Sequence, residues 1–326
     1  MNNAIQRVRD VLEGRHPDSP PVSFWYHFRA DQVAGRAAVE AHLAHLERFD
    51  LDFLKVMNDN GYPHESPVAA VADLAGLVDL RGDEPAFARQ LELLAALRKE
   101  LAGRVLMTST IFNAYAVLRQ LIRRPTVHRP PDLRAELDEP TRVIKQMIAE
   151  DPGAVRRAID TIGRNLARFA RRCLEAGADG IFLSVRDDWL DANGAHFYQQ
   201  FVRDSDLAIL SAAATGSFNV LHVCGRAVNF DRFAEYPVHV INWADRAAGP
   251  SIAQVKDRIR PALCGGVDNL STLPHGTAED VRREVADALA QAGDRPILIA
   301  PGCTYDPALV PETNLRAIVE AARSAR

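Results

Sequence analysis

The sequence predicts an α/β fold, a closed (β/α)8 barrel of the TIM type, formed by residues 1–326 as one domain. Three observations predict it. Short apolar runs of strand length recur eight times, nearly all separated by segments with helical spacing. Such alternation calls for right-handed βαβ units and a parallel sheet, and eight units match a closed barrel better than an open one. A doubly wound open sheet would want a Gly-rich phosphate turn after its first strand, and neither G-x-G-x-x-G nor a Walker pattern stands there.

In chain order, a short amphipathic opening (Ile5, Val8, Val11, Leu12) is broken by Gly14 and the prolines at 17, 20 and 21. The first strand is expected over Val22 to Phe28, and a helical pattern follows through Ala37 to Phe49. Phe53 to Met57 forms the second strand and ends in the polar turn Asn58-Asp59-Asn60-Gly61. Leucines at helical spacing fill 85–102 and stop at Gly103, a C-cap residue. Arg104 to Thr110 is the third strand. The long separation before the fourth is too great for a loop; about 111–179 carries extra helices, with Arg129-Pro130-Pro131 as a break. Strands are then expected at Ile181 to Val185, Asn219 to Cys224, Val238 to Trp243, Pro261 to Gly265 and Pro296 to Ala300. Helices are expected around 196–214, 251–258, 278–291 (capped by Thr277) and 311–325.

Composition narrows the function classes. With 47% hydrophobic and 25% charged residues the chain has apolar material for a sizeable core. A net charge of −4, mixed along the chain, offers no electrostatic case for nucleic-acid binding. No apolar run approaches the roughly 18 residues of a membrane span, and the opening residues lack the apolar core of a signal peptide. A cytoplasmic protein is expected. Four cysteines in a chain this long do not make a disulfide framework and should stay thiols there.

The chemistry points to one stretch, Asn219-Val-Leu-His-Val-Cys-Gly225. Residues two apart on a strand share a face, so His222 and Cys224 project side by side. Cys303 closes the last apolar run, in Ala300-Pro301-Gly302-Cys303. In a barrel both strand ends lie at the C-terminal rim, where active sites sit, so one imidazole and two thiolates should converge. These are zinc's preferred ligands, and three protein ligands with an open position mark catalytic rather than structural zinc. A thiol bound at such a metal is deprotonated, which points to activation of a small-molecule thiol, or secondarily of water. Taken singly, a strand cysteine is ordinarily a small hydrophobe and a lone histidine a satisfied core group. Cys173 and Cys264 read that way, and His42, His45, His128 and His239 read as surface or structural. Asp245, after the sixth strand beside Asn242, is a candidate weak fourth ligand or supporting partner. Tyr26, His27, Asn58, Asp59, Tyr115, Arg186 and Asp187 are candidates to line the substrate pocket.

These residues carry a resemblance. Leu221-His222-Val223-Cys224-Gly225, Cys264-Gly265-Gly266-Val267-Asp268, Ala300-Pro301-Gly302-Cys303 and the helix around Thr313 to Ile318 resemble the uroporphyrinogen decarboxylase superfamily. Val56-Met57-Asn58-Asp59 and Ala114-Tyr115 fit its layout more loosely. The resemblance implies a uroporphyrinogen decarboxylase-like (β/α)8 barrel over essentially the whole chain. His-x-Cys followed by a distant Cys is similar to the zinc-dependent branch that passes a methyl group from a corrinoid (cobalamin) protein to a thiol. That branch implies zinc on His222, Cys224 and Cys303, with the corrinoid supplied by a partner, since no Asp-x-His-x-x-Gly run occurs. The decarboxylases themselves resemble Met-Arg-Gln-Ala-Gly-Arg-Tyr at the first strand and carry a histidine in the last loop. Here those places read Phe24-Trp-Tyr-His-Phe-Arg29 and Cys303. A tetrapyrrole carboxy-lyase using Asp59 and Tyr115 is the alternative, and a non-catalytic barrel that docks a corrinoid protein is a second one.

Overall fold

Seven parallel strands run side by side in chain order: β1 (Phe53–Val56), β2 (Leu106–Phe112), β3 (Gly180–Arg186), β4 (Val220–Cys224), β5 (Val240–Trp243), β6 (Ala262–Val267) and β7 (Ile297–Pro301). The structure is a computed structural model and describes residues 3–122, 133–187, 190, 194, 196–225 and 228–325. The expected break at Arg129-Pro130-Pro131 and His128 lie outside the described residues.

The first expected strand, Val22 to Phe28, is corrected to a single parallel bridge between Val22 and Ile299. The reason is local. Pro20 and Pro21 have no N–H to give a ladder, and the Val22 N–H is taken by the Asp52 carboxylate at 2.7 Å. The segment still spans the gap between β7 and β1. On one side Ser23 N donates to Ile299 O at 3.2 Å and Ile299 N to Pro21 O at 2.9 Å; on the other, Asp52 N donates to Val22 O at 2.8 Å. Ser23 Oγ adds a bond to Phe53 O at 2.7 Å. The curled sheet is thus TIM-barrel-like, with an eighth stave held by few backbone bonds and one carboxylate.

The period-2 alternation of each strand divides the core in two. Phe53, Met57, Leu106, Phe182, Val220, Val240, Cys264, Leu298 and Ala300 form the interior cluster. Val8 and Val11 of α1 (Ala4–Leu12) join that cluster and help to close the barrel interior. The alternate residues, among them Leu54, Met107, Leu183, Leu221, Ile241, Leu263 and Ile299, pack outward against the helices. Those helices include α2 (Gly35–Phe49), α3 (Pro85–Leu101) and, between β2 and β3, α4 (Ala114–Ile122), α5 (Leu133–Glu150) and α6 (Pro152–Glu175). The helix expected around 196–214 is a π-helical turn, Tyr198–Val202, followed by α7 (Arg203–Ala212). The one expected over 251–258 shortens to α8 (Ile252–Val255). After β6 the chain forms α9 (Thr272–His275) and α10 (Ala278–Ala292), and after β7 the final α11 (Glu312–Ser324).

His42 and His45 are buried and structural. His42 Nδ1 meets Ala38 O at 2.7 Å while its Nε2 accepts Met57 N–H at 3.1 Å. Burial holds both imidazoles down to about 4, so they stay neutral. Among the described residues no helix is long and apolar enough to cross a membrane.

Candidate metal centre

β4 carries His222 and Cys224 on its inward face, and β7 delivers Cys303 two residues past its end. The delivery depends on Gly302. A Cβ at that position would lie 2.4 Å from Ala244 Cα, so only glycine lets this turn pass against the chain after β5. The ligand atoms of His222, Cys224 and Cys303 consequently lie within 4.8 Å of one another. Cys303 Sγ stands 3.4 Å from His222 Nε2. His222 is buried, and the two cysteines are partly so.

Asn242 decides which imidazole nitrogen faces the sulfurs. Its Nδ2 donates to Cys264 O at 3.0 Å and Pro301 O at 3.2 Å. With the amide hydrogens committed to two carbonyls, Asn242 Oδ1 must be the atom 2.7 Å from His222 Nδ1. An amide oxygen only accepts, so Nδ1 carries a proton and Nε2 is the nitrogen that faces the cysteines and can ligate. A neutral imidazole fixed by a second hydrogen bond is how ligating histidines are oriented.

The donor set fits a zinc ion. Zn–S near 2.3 Å and Zn–N near 2.0–2.1 Å in a tetrahedral shell place ligand atoms about 3.5–3.8 Å apart, and the observed Nε2–Sγ separation is 3.4 Å. One imidazole and two thiols also match zinc's borderline-soft preference. Electrostatics favours the ligating form: Cys303 is held well below the usual thiol range by its hydrogen bond with Cys224, then by His222 and Lys55, against the opposing effect of burial. Burial instead raises Cys264, and it pushes Cys173 up to about 12, as befits inert core thiols.

Lys55 is the candidate functional residue that the sequence reading missed. It sits mid-β1, only 6% exposed, on the interior face with Phe53 and Met57. Its Nζ lies 4.2 Å from the centroid of the Phe182 ring and 5.2 Å from that of Trp25. Burial lowers it to about 8, partly offset by the negative fields of Cys303, Asp59 and Cys224. The signal was a lysine inside an apolar strand run, at the parity of the inward residues.

The other expected site residues are distributed as follows. Asp245 is buried, its Oδ1 accepting Gly266 N–H at 2.9 Å and its Oδ2 3.5 Å from Arg246 Nε. Burial raises it to about 6, and it is not in the converging set. Asp59 pairs with His27 Nδ1 at 2.8 Å at the barrel mouth. Asn58 bridges Thr110 O and Asn60 N there. Tyr26 packs among Phe28, His45 and Tyr305, and burial raises its phenol. Arg186 ends β3 in register with Cys224. Two expected pocket residues are buried and held by neighbouring arginines. Asp187 is fully buried, accepting Asn229 N–H at 2.7 Å and pairing with Arg232. Tyr115 is buried against Phe197, with Arg119 Nη1 3.3 Å from its hydroxyl.

A family model for uroporphyrinogen decarboxylase (URO-D) matches residues 43–325. The chain belongs to the URO-D family. Among solved structures, a methyltransferase from Methanosarcina mazei superposes with a TM-score of 0.69 at 19% identity, covering 99% of this chain and 98% of that one. A B12-independent methionine synthase from Shewanella sp. W3-18-1 is similar at a TM-score of 0.45 and 12% identity, over 72% of this chain and 65% of that one. No curated protein matches the sequence. Family membership accounts for the barrel; the His-Cys-Cys cluster at its rim is what this chain adds to the argument for chemistry.

Proposed function

We propose that the protein is a zinc-dependent methyltransferase that moves a methyl group between a corrinoid and a thiol held at His222, Cys224 and Cys303. The observation that carries this reading is the convergence of those three ligand atoms within 4.8 Å. Its companion is the Nε2 lone pair that Asn242 fixes toward them. A bound zinc would supply Lewis acidity that keeps a substrate thiol ionised at neutral pH. The chain's own residues do the rest. Asn242 holds the Nδ1 proton and keeps the imidazole aimed. Phe182 stacks on His222 with ring centroids 5.6 Å apart and gives the site an apolar wall. Tyr26, His27, Asn58, Asp59 and Arg186 line the approach to it, and Asp245 steadies the end of β6 beside it. Holding the sulfur in line with the methyl carbon is where binding accelerates such a transfer, because effective molarity alone reaches about 7–11 kcal/mol. The methyl carrier, methylcobalamin or a methylated corrinoid protein, comes from outside the chain, in a reducing cytoplasm suited to the reduced cysteines of this chain.

The test is anaerobic incubation of zinc-loaded protein with methylcobalamin and a panel of small thiols. Demethylation in the visible spectrum should run with thioether formation measured by mass spectrometry. A corrinoid that stays methylated with every thiol and with methylated corrinoid protein overturns the reading. Asn242→Ala should weaken zinc binding about 10–100-fold in a chelator competition, because the imidazole loses its fixed tautomer; unchanged affinity would show that the Asn242 bond plays no part in metal binding.

A further inference from the structure

Lys55 is a cation in a place that has no use for one structurally. It is only 6% exposed and, among the described residues, makes no hydrogen bond and no ion pair. Its ammonium rests on the faces of Phe182 and Trp25, at 4.2 and 5.2 Å from the ring centroids. Phe182 is the same ring that stacks on His222. Two other polar atoms of this interior are fully buried without a partner: Trp25 Nε1, and the Oγ1 of Thr108, the register partner of Lys55. Ammonium and indole are donors only, and among the described residues neither is given an acceptor. Aromatic faces soften the desolvation of a buried cation without replacing an anion.

The charge balance at the centre says what the missing anion is. Two thiolates and a neutral imidazole cancel a zinc ion. Water, an alcohol or an amine in the open position leaves the sum at zero, whereas a thiolate brings one negative charge. Resting on the function proposed above, we infer that Lys55 is a specificity-determining residue: its buried cation reserves the fourth position for an anionic sulfur ligand over neutral donors. The charge it answers is on the metal-bound sulfur, not on a remote acidic group of the substrate. Arg186, in register with Cys224, is another cation near this rim, but it has partners of its own.

Cobalt(II)-substituted protein tests this without turnover, since a sulfur ligand adds a charge-transfer band that can be titrated. Wild type and Lys55→Met are titrated with 2-mercaptoethanol, 3-mercaptopropionate and neutral imidazole, with circular dichroism confirming that the variant is folded; Lys55→Gln serves as a second neutral replacement. In both variants each thiol is expected to bind at least tenfold more weakly, with imidazole binding changed less than threefold. A thiol-to-imidazole preference equal to that of wild type overturns the inference. So does a loss confined to 3-mercaptopropionate, which would assign Lys55 to the acidic tail. Failure of the underlying function reads differently: the wild type itself would take up no cobalt or zinc, or would bind metal without transferring methyl groups.

Discussion

Protein purified without chelator is expected to hold close to one zinc per chain, and Cys224→Ser and Cys303→Ser are each expected to lose it. A serine hydroxyl stays protonated where a cysteine ligates as thiolate, so the substitution removes a charged ligand while barely changing shape. Structural zinc sites with four ligands bind with roughly 10–16 kcal/mol, about 3–4 kcal/mol per ligand, which corresponds to a 10²–10³-fold loss of affinity for each change. Elemental analysis reads the stoichiometry and chelator competition the affinity. The sign of the pH dependence follows from the ligands. His222, Cys224 and Cys303 must be free of protons to bind, so zinc is released as pH falls. Because Cys303 is already held below the ordinary thiol range in the metal-free protein, its contribution survives to lower pH than that of an unperturbed cysteine. A wild type that is metal-free and cannot be loaded with zinc would sink the proposed function.

The second large effect concerns the clasp of the barrel. Asp52 is fully buried. Its Oδ1 meets Arg7 Nη2 of α1 at 2.7 Å, and its Oδ2 meets Arg323 Nη1 of α11 at 2.8 Å and the Val22 N–H at 2.7 Å. One carboxylate therefore ties the opening helix, the closing segment and the last helix to the start of β1. Asp52→Ala leaves two guanidinium groups facing a desolvated void, and breaking one side of a buried pair costs about 3–5 kcal/mol. A fall in Tm on the order of 5–10 °C is expected in scanning calorimetry, with zinc binding at the opposite rim largely retained in the folded state. A melting point within 1–2 °C of wild type, roughly the effect of an exposed salt bridge, would mean that the backbone pairing of Val22 and Ile299 closes the barrel unaided.

The contrast between Asp52 and the metal cluster shows which features sequence alone reveals. Strands β1 to β7 were legible because their apolar runs are local and bounded by turn residues. His222 and Cys224 were legible for the same reason, since spacing by two places them on one face wherever the strand lies. Cys303 followed once both strand ends were assigned to one rim. The closing segment was not legible: Val22 to Phe28 has strand composition, yet the hydrogen-bond partner that displaces its ladder is the Asp52 carboxylate, thirty residues away. Asp187 and Tyr115 were expected at the pocket from their positions near strand ends; that Arg232 and Arg119 hold them was not legible, because those partners come from other parts of the chain or from the next helical turn.

By itself the sequence determined the parallel α/β barrel and the identity of three ligand-type residues at its rim, because alternation, spacing and residue chemistry are properties of the chain. Only the tertiary structure decided that the Nε2 of His222 faces Cys303, because that depends on Asn242 being pinned by two carbonyls from β6 and β7. It alone decided that Lys55 points inward onto Phe182 and, among the described residues, forms no ion pair there. A lysine in a strand is ordinarily carried to water by its flexible stem, and only the packed barrel shows that here the ammonium lies on two aromatic faces.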